Sequence, residues 1–355
     1  MPPESDIARD LLEELFESPV LYPQGTDLET VTFWRMRGRS DYDLLPHAPQ
    51  TPQVTLSLPP LLDLAEGLAA RPAPHFIFMT EYCCSTLLIR CLGALSGVMT
   101  VNEPHFFARL AIIRRTMDQG EILNGGEPRW EATVRLGLRL LSRTYAPSDR
   151  VLIKEWPPSN YIMGSLLAAS PSSQGLFLYS DLRTYILSVL KDSRRRQITR
   201  RRLIHEFTES ERQFPGFKAQ KESLSDAQAA AFHWLHLVHR YVTSVRADGP
   251  GTRMRSLNCE LLLTDPMRTL SAVSAHFGLN HSGDEIRRLV ASPVFNTYSK
   301  PQAPVTGEYD TSTRQTELRK AEAARQAELQ EGLAWADELL AAHPLPAEMP
   351  QPLLP

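Results

Sequence analysis

The residues best suited to chemistry stand at positions 80–86. Residues 75–79 (HFIFM) form a short apolar run of strand character, and residues 85–95 (STLLIRCLGAL) repeat Leu87, Leu88, Cys91, Leu92 and Leu95 at helical spacing. Between them lies Thr80-Glu81-Tyr82-Cys83-Cys84-Ser85-Thr86. In a strand–turn–helix unit the first N–H groups of the helix have no partner inside it, and the positive end of its dipole faces the turn. A phosphate or sulfate suits that place, with main-chain amides and the Ser85 and Thr86 hydroxyls as donors. The same hydroxyls also serve as plain helix caps, and spacing alone does not separate the two uses. The pattern GxxxxGK[ST] is absent and the turn has no lysine, which argues against magnesium-dependent ATP hydrolysis.

Other reactive groups are weaker candidates. Arg194, Arg195, Arg196, Arg200, Arg201 and Arg202 put six arginines in nine residues. On a helix they spread around the circumference and cannot all face one ligand. A solvated charged face, contacts to phosphates or to an acidic acceptor, and nonspecific RNA affinity are the readings open to them. His233, His236 and His239 share a helical segment, but a zinc site needs further ligands that the neighbouring sequence lacks, so no metal is expected. His105 is a reserve base beside Glu103. Cys83 and Cys84, at a helix start, are either activated thiols or buried packing; Cys91 and Cys259 read as core.

The elements that must position these groups alternate regularly. Short apolar strands are expected at 75–79, 98–101, 151–153, 175–179 and 254–257, and helices at 85–95, 128–145, 161–169, 183–190, 227–245 and 267–277. Buried strands alternating with helices predict a three-layer α/β fold with a central, mainly parallel sheet. A short amphipathic helix is expected at 6–17 and a strand at 31–36. Pro46, Pro49, Pro52, Pro59 and Pro60 punctuate the first seventy residues. Residues 313–342, rich in Ala, Glu, Gln and Arg, predict a long surface helix. The Pro-rich end, 349–355, is expected to be disordered.

In this order the chain resembles the P-loop sulfotransferase family, whose 5′-phosphosulfate loop reads roughly R-S-G-[ST]-T-L-L after the first strand. Tyr82-Cys83-Cys84-Ser85-Thr86-Leu87-Leu88 occupies that position. Asn102-Glu103-Pro104 sits where bacterial and tyrosylprotein-type members carry Glu-Pro, and residues 151–154 are similar to the strand ending in lysine. Residues 178–188 (LYSDLRTYILS) are similar to the 3′-phosphate segment, residues 259–279 to the family's D-P-containing helical segment, and Tyr298-Ser299-Lys300 to its closing Y-S-K. The Cys-Cys-Ser-Thr-Leu-Leu loop is similar to that of a divergent bacterial subgroup.

The resemblance implies an enzyme that moves a sulfuryl group from 3′-phosphoadenosine 5′-phosphosulfate to a hydroxyl or amine, without metal. It implies Glu103 as base and Lys154 as the cation on the leaving phosphate. Tyr82, Cys83, Cys84, Ser85, Thr86, Arg183, Ser188 and Lys300 are the implied donor-binding residues. The chain departs from the family pattern in four places. Tyr82 replaces a basic residue, Cys84 replaces glycine, Glu81 brings a negative charge near the anion, and Ser180 replaces the 3′-phosphate arginine, for which Arg183 is the substitute. A non-catalytic nucleotide- or anion-binding P-loop protein is the alternative, and a kinase-like transferase a third. The acceptor is left open, as is the oligomeric state.

The expected organisation is an N-terminal decoration (1–72), the sulfotransferase-like domain (73–300), a C-terminal linker and long helix (301–345) and the Pro-rich tail (346–355). The 355 residues are 42% hydrophobic and 22% charged, with 28 prolines and a net charge of −3, which suits a globular protein and argues against nucleic acid as partner. No run of about twenty apolar residues predicts a membrane span. The acidic first residues do not read as a secretory signal, and four cysteines without CxxC spacing suit a reducing cytoplasm.

Overall fold

A computed structural model of the protein describes residues 15–39, 53–66, 68, 71–121, 123, 125–217, 223–246, 250–296 and 311–354. The five expected core strands are present as β4 (His75–Met79), β5 (Val98–Asn102), β6 (Arg150–Lys154), β7 (Gly175–Tyr179) and β8 (Met254–Asn258), following β1 (Leu21–Thr26), β2 (Thr30–Arg35) and β3 (Gln53–Ser57). The core sheet has the order β5-β6-β4-β7-β8, and every adjacent pair is parallel. Alternate side chains enter two different cores. Phe76, Phe78, Met99, Val101, Ile153 and Phe177 fill one face, and Ile77, Met79, Leu152, Leu176, Leu178 and Leu257 the other. Burial on both faces is why β4 and β7, and the middle of β6, read as apolar runs, whereas the edge strand β8 also carries Arg255 and Ser256.

Helices cover both faces. Two of them are α1 (Leu58–Glu66) and α2 (Ser85–Gly93). On one side of the sheet lie α3 (His105–Asp118), α4 (Gly126–Leu141) and α5 (Met163–Ala169). Three others follow: α6 (Leu182–Leu190), α7 (Ser193–Glu206) and α8 (Asp226–Arg246). The opposite face carries α2 with α9 (Cys259–Thr264), α10 (Pro266–His276) and α11 (Gly283–Val290). The chain therefore has the expected three-layer α/β fold. Because every pair is parallel, the carboxyl ends of the strands share one rim, and the change of side at β4 opens a crevice there, where such folds bind ligands.

Four expectations outside the core need revision. Pro59 and Pro60 do not break structure; they sit in the first turn of α1, where a missing N–H costs nothing. The N-terminal segment is more than a decoration. Strands β1–β3 form an antiparallel sheet, and Leu15, Phe16, Tyr22 and Phe33 are buried in the same core as Phe76 and Phe78. The long C-terminal helix, α12 (Thr311–Ala342), is not simply a surface helix: Ala321, Leu329, Ala336 and Leu339 are buried in one cluster with residues of α6 and α8.

The C-terminal tail is ordered through residue 354. Ser256 N–H donates to the Gln351 carbonyl at 2.9 Å, and Leu353 N–H donates to the Ser256 carbonyl at 2.8 Å. The tail thus supplies partners to the outer edge of β8, which would otherwise expose unpaired backbone groups. Proline lacks a donor but keeps its carbonyl, and that of Pro350 accepts from the Tyr241 and Ser256 hydroxyls. Of the 6–17 helix only residues 15–17 are described, and these are helical. Tyr298, Ser299 and Lys300 lie outside the described residues.

Candidate active site at the strand ends

The turn after β4 leads into α2 through left-handed backbone at three non-glycine residues: Glu81 (φ 70°), Tyr82 (φ 50°) and Cys84 (φ 59°). Such conformations cost on the order of 1–3 kcal/mol each and persist where the surroundings hold them, often at binding sites. Cys84 is the N-cap of α2, and no side chain caps the helix. Ser85 and Thr86 therefore do not spend their hydroxyls as caps. Among the described residues, the backbone N–H groups from Glu81 to Leu87 have no acceptor; the first bonded amide is that of Leu88, which donates to the Cys84 carbonyl. A row of unmet amides at a helix start is a donor set for an anion.

Lys154 borders this turn from the end of β6. Its side chain is buried (1% exposed), yet all three of its N–H donors are used: Glu103 Oε1 at 2.5 Å, Asn102 Oδ1 at 2.9 Å and Thr86 Oγ1 at 3.3 Å. The register of β5 on β6 sets Asn102 opposite Lys154, and Glu103 N–H closes the pair by donating to the Lys154 carbonyl at 2.7 Å. Glu103 is itself left-handed (φ 56°), and this bend carries its carboxylate back over the sheet edge. Its side chain is 24% exposed. The sequence candidates Glu103, Lys154 and Thr86 thus meet at one point. Asn102 completes the group and is not singled out by the sequence.

Glu81 does not oppose an anion in the turn. Its carboxylate pairs with Arg202 of α7 at 2.7 Å and with His233 Nε2 of α8 at 3.2 Å. Burial pushes the Glu81 carboxyl up, but Arg202 and His233 outweigh it and hold it below its ordinary value. The other nitrogen of His233 faces Glu206 at 2.5 Å. Burial pulls His233 down, while Glu206 and Glu81 overcome this and raise it to about 9. His233 is therefore an imidazolium clamped between two carboxylates. Arg202 also lies over Trp156 at 5.4 Å, and Trp156 packs on His105, whose imidazole is held below its ordinary value by burial.

The arginine run divides by helical face, as its spacing requires. Arg195 sits over the Tyr82 ring at 4.7 Å and donates to the Ser188 carbonyl at 2.9 Å. Arg196 and Arg200 pair with Asp226, whereas Arg194 and Arg201 are exposed. Four of the six are thus structural partners rather than a solvated face. Arg183, the expected substitute for an arginine at 180, is engaged elsewhere: it is exposed and paired with Glu322 of α12. Ser188 is buried on α6, and the cation beside it and Tyr82 is Arg195 rather than Arg183. Ser180 is fully buried, and its hydroxyl makes no hydrogen bond among the described residues.

Cys83 is buried, its Sγ directed at the Leu178 carbonyl, and burial pushes its thiol up to about 12, so it packs rather than reacts. Cys84 is half-buried; a hydrogen bond with Cys259 is the main influence holding its thiol below the ordinary value. Glu155, next to Lys154, is fully buried. Among the described residues neither of its oxygens has a hydrogen bond of good geometry, and the nearby Ser159 hydroxyl offsets burial only in part, so its carboxyl rises to about 8. No sequence signal distinguishes this glutamate from an exposed one.

A cavity of about 520 Å³ lies among Arg114, Asp118, Trp130, Tyr161, Arg212 and Arg240 and shares no lining residue with the turn or with the Lys154–Glu103 pair. Among the described residues no helix is long and apolar enough to cross a membrane.

The chain matches no family profile and no curated protein. Solved structures do resemble it. The sulfotransferase domain from the curacin biosynthetic pathway is similar at 14% identity and a TM-score of 0.41, over 79% of this chain and 94% of that one. A sulfotransferase from Mycobacterium tuberculosis H37Rv is similar at 14% identity and 0.37, over 75% and 78%. Retinol dehydratase in complex with retinol and PAP is similar at 13% identity and 0.38, over 96% of both chains.

Proposed function

We propose that the protein is a sulfotransferase that takes a sulfuryl group from 3′-phosphoadenosine 5′-phosphosulfate and delivers it to a hydroxyl or amine. The observation that carries this reading is the turn after β4, whose amides from Glu81 to Leu87 are unmet among the described residues and lie beside the Lys154–Glu103 pair. The residues present fit the donor's 5′ end. The amides and the Ser85 and Thr86 hydroxyls can hold nonreacting oxygens, and Glu81 is neutralised by Arg202 and His233. Arg195, held against Tyr82 and Ser188, is the cation available for a second phosphate.

In this mechanism the Glu103 carboxylate takes the proton of the acceptor's O–H or N–H as that atom forms its bond to sulfur. The bond from sulfur to the bridging oxygen breaks, and its electron pair leaves on the 5′-phosphate. Lys154 exchanges its longest hydrogen bond, to Thr86, for that oxygen and neutralises the charge. A second reading, a binding protein without turnover, is favoured by one observation: all three Lys154 donors are already satisfied, and one of them ties up Glu103.

Thermal shift and turnover separate these. Under the transferase reading, 3′-phosphoadenosine 5′-phosphate raises the melting temperature, ATP with magnesium does not, and the 5′-phosphosulfate is consumed in the presence of a suitable acceptor. Equal shifts with both nucleotides, or none with either, remove the donor assignment.

A further inference from the structure

The turn from Thr80 to Leu87 contains no lysine or arginine, and Lys154 flanks it on the β6 side alone. One charged group near its other flank has no part in the mechanism above. Arg314, near the start of α12, has a side chain only 7% exposed. Its Nη1 donates to Glu260 Oε1 at 2.7 Å, but its Nη2 is buried and has no hydrogen-bond acceptor among the described residues. Buried guanidinium donors are normally all matched, so an unmet one marks a place for an acceptor that is not part of the chain.

The surroundings indicate where that acceptor sits. The Arg314 charge acts on the thiols of Cys84 and Cys259. Cys84, the N-cap of α2, packs against the same buried cluster as Cys259, which opens α9 just after β8 and directly precedes Glu260. Held on Glu260, the guanidinium therefore stands on the β8 side of the buried cluster that Cys84 packs against, while Lys154 meets Thr86 from the β6 side. Glu260, the second residue of α9, fixes the guanidinium plane through Nη1 and leaves Nη2 for a ligand.

We propose that Arg314 is the missing cation of the turn: its Nη2 donates to an oxygen of the phosphate or sulfate ester seated on the α2 amides, and Glu260 positions it. This rests on the reading of the turn as an anion cradle. It makes Arg314 a specificity residue that favours a charged 5′ group over a free 5′ hydroxyl. The assignment joins two independent observations, the unmet amides of the turn and the unmet buried guanidinium beside them.

The test is equilibrium binding to the full chain of three probes: adenosine 3′,5′-bisphosphate, adenosine 3′-monophosphate and inorganic pyrophosphate. Arg314→Gln is expected to weaken the bisphosphate and pyrophosphate by about 10- to 100-fold and the 3′-monophosphate by less than about 2-fold. Arg314→Lys, which keeps the charge but not the planar fork, is expected to fall between, and Glu260→Gln to lose about 3- to 10-fold for the same two probes. If Arg314→Gln does not fold, as judged by circular dichroism, the Arg314→Lys and Glu260→Gln proteins decide. Unchanged affinity for bisphosphate and pyrophosphate in the folded variants overturns the role of Arg314 and leaves the transferase reading intact. Wild-type binding of pyrophosphate but of neither nucleotide overturns the transferase reading, and the pyrophosphate series still decides Arg314. Binding of none of the three probes by the wild type overturns both.

Discussion

Lys154 and Glu103 meet at 2.5 Å where β6 and β5 end, the ammonium buried and the carboxylate open to solvent on one side. A buried ammonium needs compensation, and removing its carboxylate partner is strongly destabilising, whereas an amide keeps an oxygen for it to bond. Glu103→Gln is therefore the informative change. It is expected to fold, to keep its melting shift with 3′-phosphoadenosine 5′-phosphate, and to lose at least about 100-fold in turnover, the scale of a general base. Turnover at the wild-type rate would take Glu103 out of the chemistry.

The hydroxyls of the turn make no cap, so their removal should cost ligand and not fold. Ser85→Ala with Thr86→Ala is expected to weaken nucleotide binding about 10-fold or more, at roughly 1 kcal/mol per lost hydrogen bond. The unliganded melting temperature should move little, apart from the loss of one Lys154 contact. Retained affinity with a lowered melting temperature would mean that the turn is only structural.

The imidazolium of His233, raised to about 9 from its ordinary 6.5, ties the turn to α7 through Glu81 and Glu206. A raised folded-state pKa stabilises fully below pH 6.5, and that stabilisation is lost as the pH rises through about 9. His233→Gln is thus expected to cost most near pH 6, with a pH-dependent part of about 3 kcal/mol that vanishes above pH 9. Denaturant midpoints for both proteins from pH 6 to 9.5 measure it. A gap of constant size would show that His233 is not held as a cation.

Glu155 behaves in the opposite chemical sense. Burial raises its carboxyl from 4.5 to about 8, so the folded state holds a proton that the unfolded chain has released, and stability falls as the pH rises from 4.5 to 8. Glu155→Gln removes that cost. The variant should match the wild type near pH 4.5 and exceed it above pH 8, by at most about 5 kcal/mol. No gain at high pH would show that the carboxyl ionises without penalty.

Much of this protein is legible in its residues. Four apolar runs, β4 to β7, declare most of the core sheet, and helical spacing declares most of the helices between them; the edge strand β8, with Arg255, Ser256 and Asn258, is less plain. The turn after β4, with Glu103 and Lys154 at neighbouring strand ends, is legible because a parallel sheet gathers its carboxyl ends on one rim. The strand order that makes β5 and β6 neighbours, and so joins Glu103 to Lys154, is decided only by the fold. The same is true of the charges. Arg183 is close to Ser180 in sequence yet pairs with Glu322, while Arg202 and His233, over a hundred residues from Glu81, neutralise it. Arg314 is further still. Local spacing specifies which backbone groups are offered. Which charges come to meet them depends on helices that pack against the sheet from distant parts of the chain, because a buried ion takes its partner from whatever the tertiary structure brings within reach.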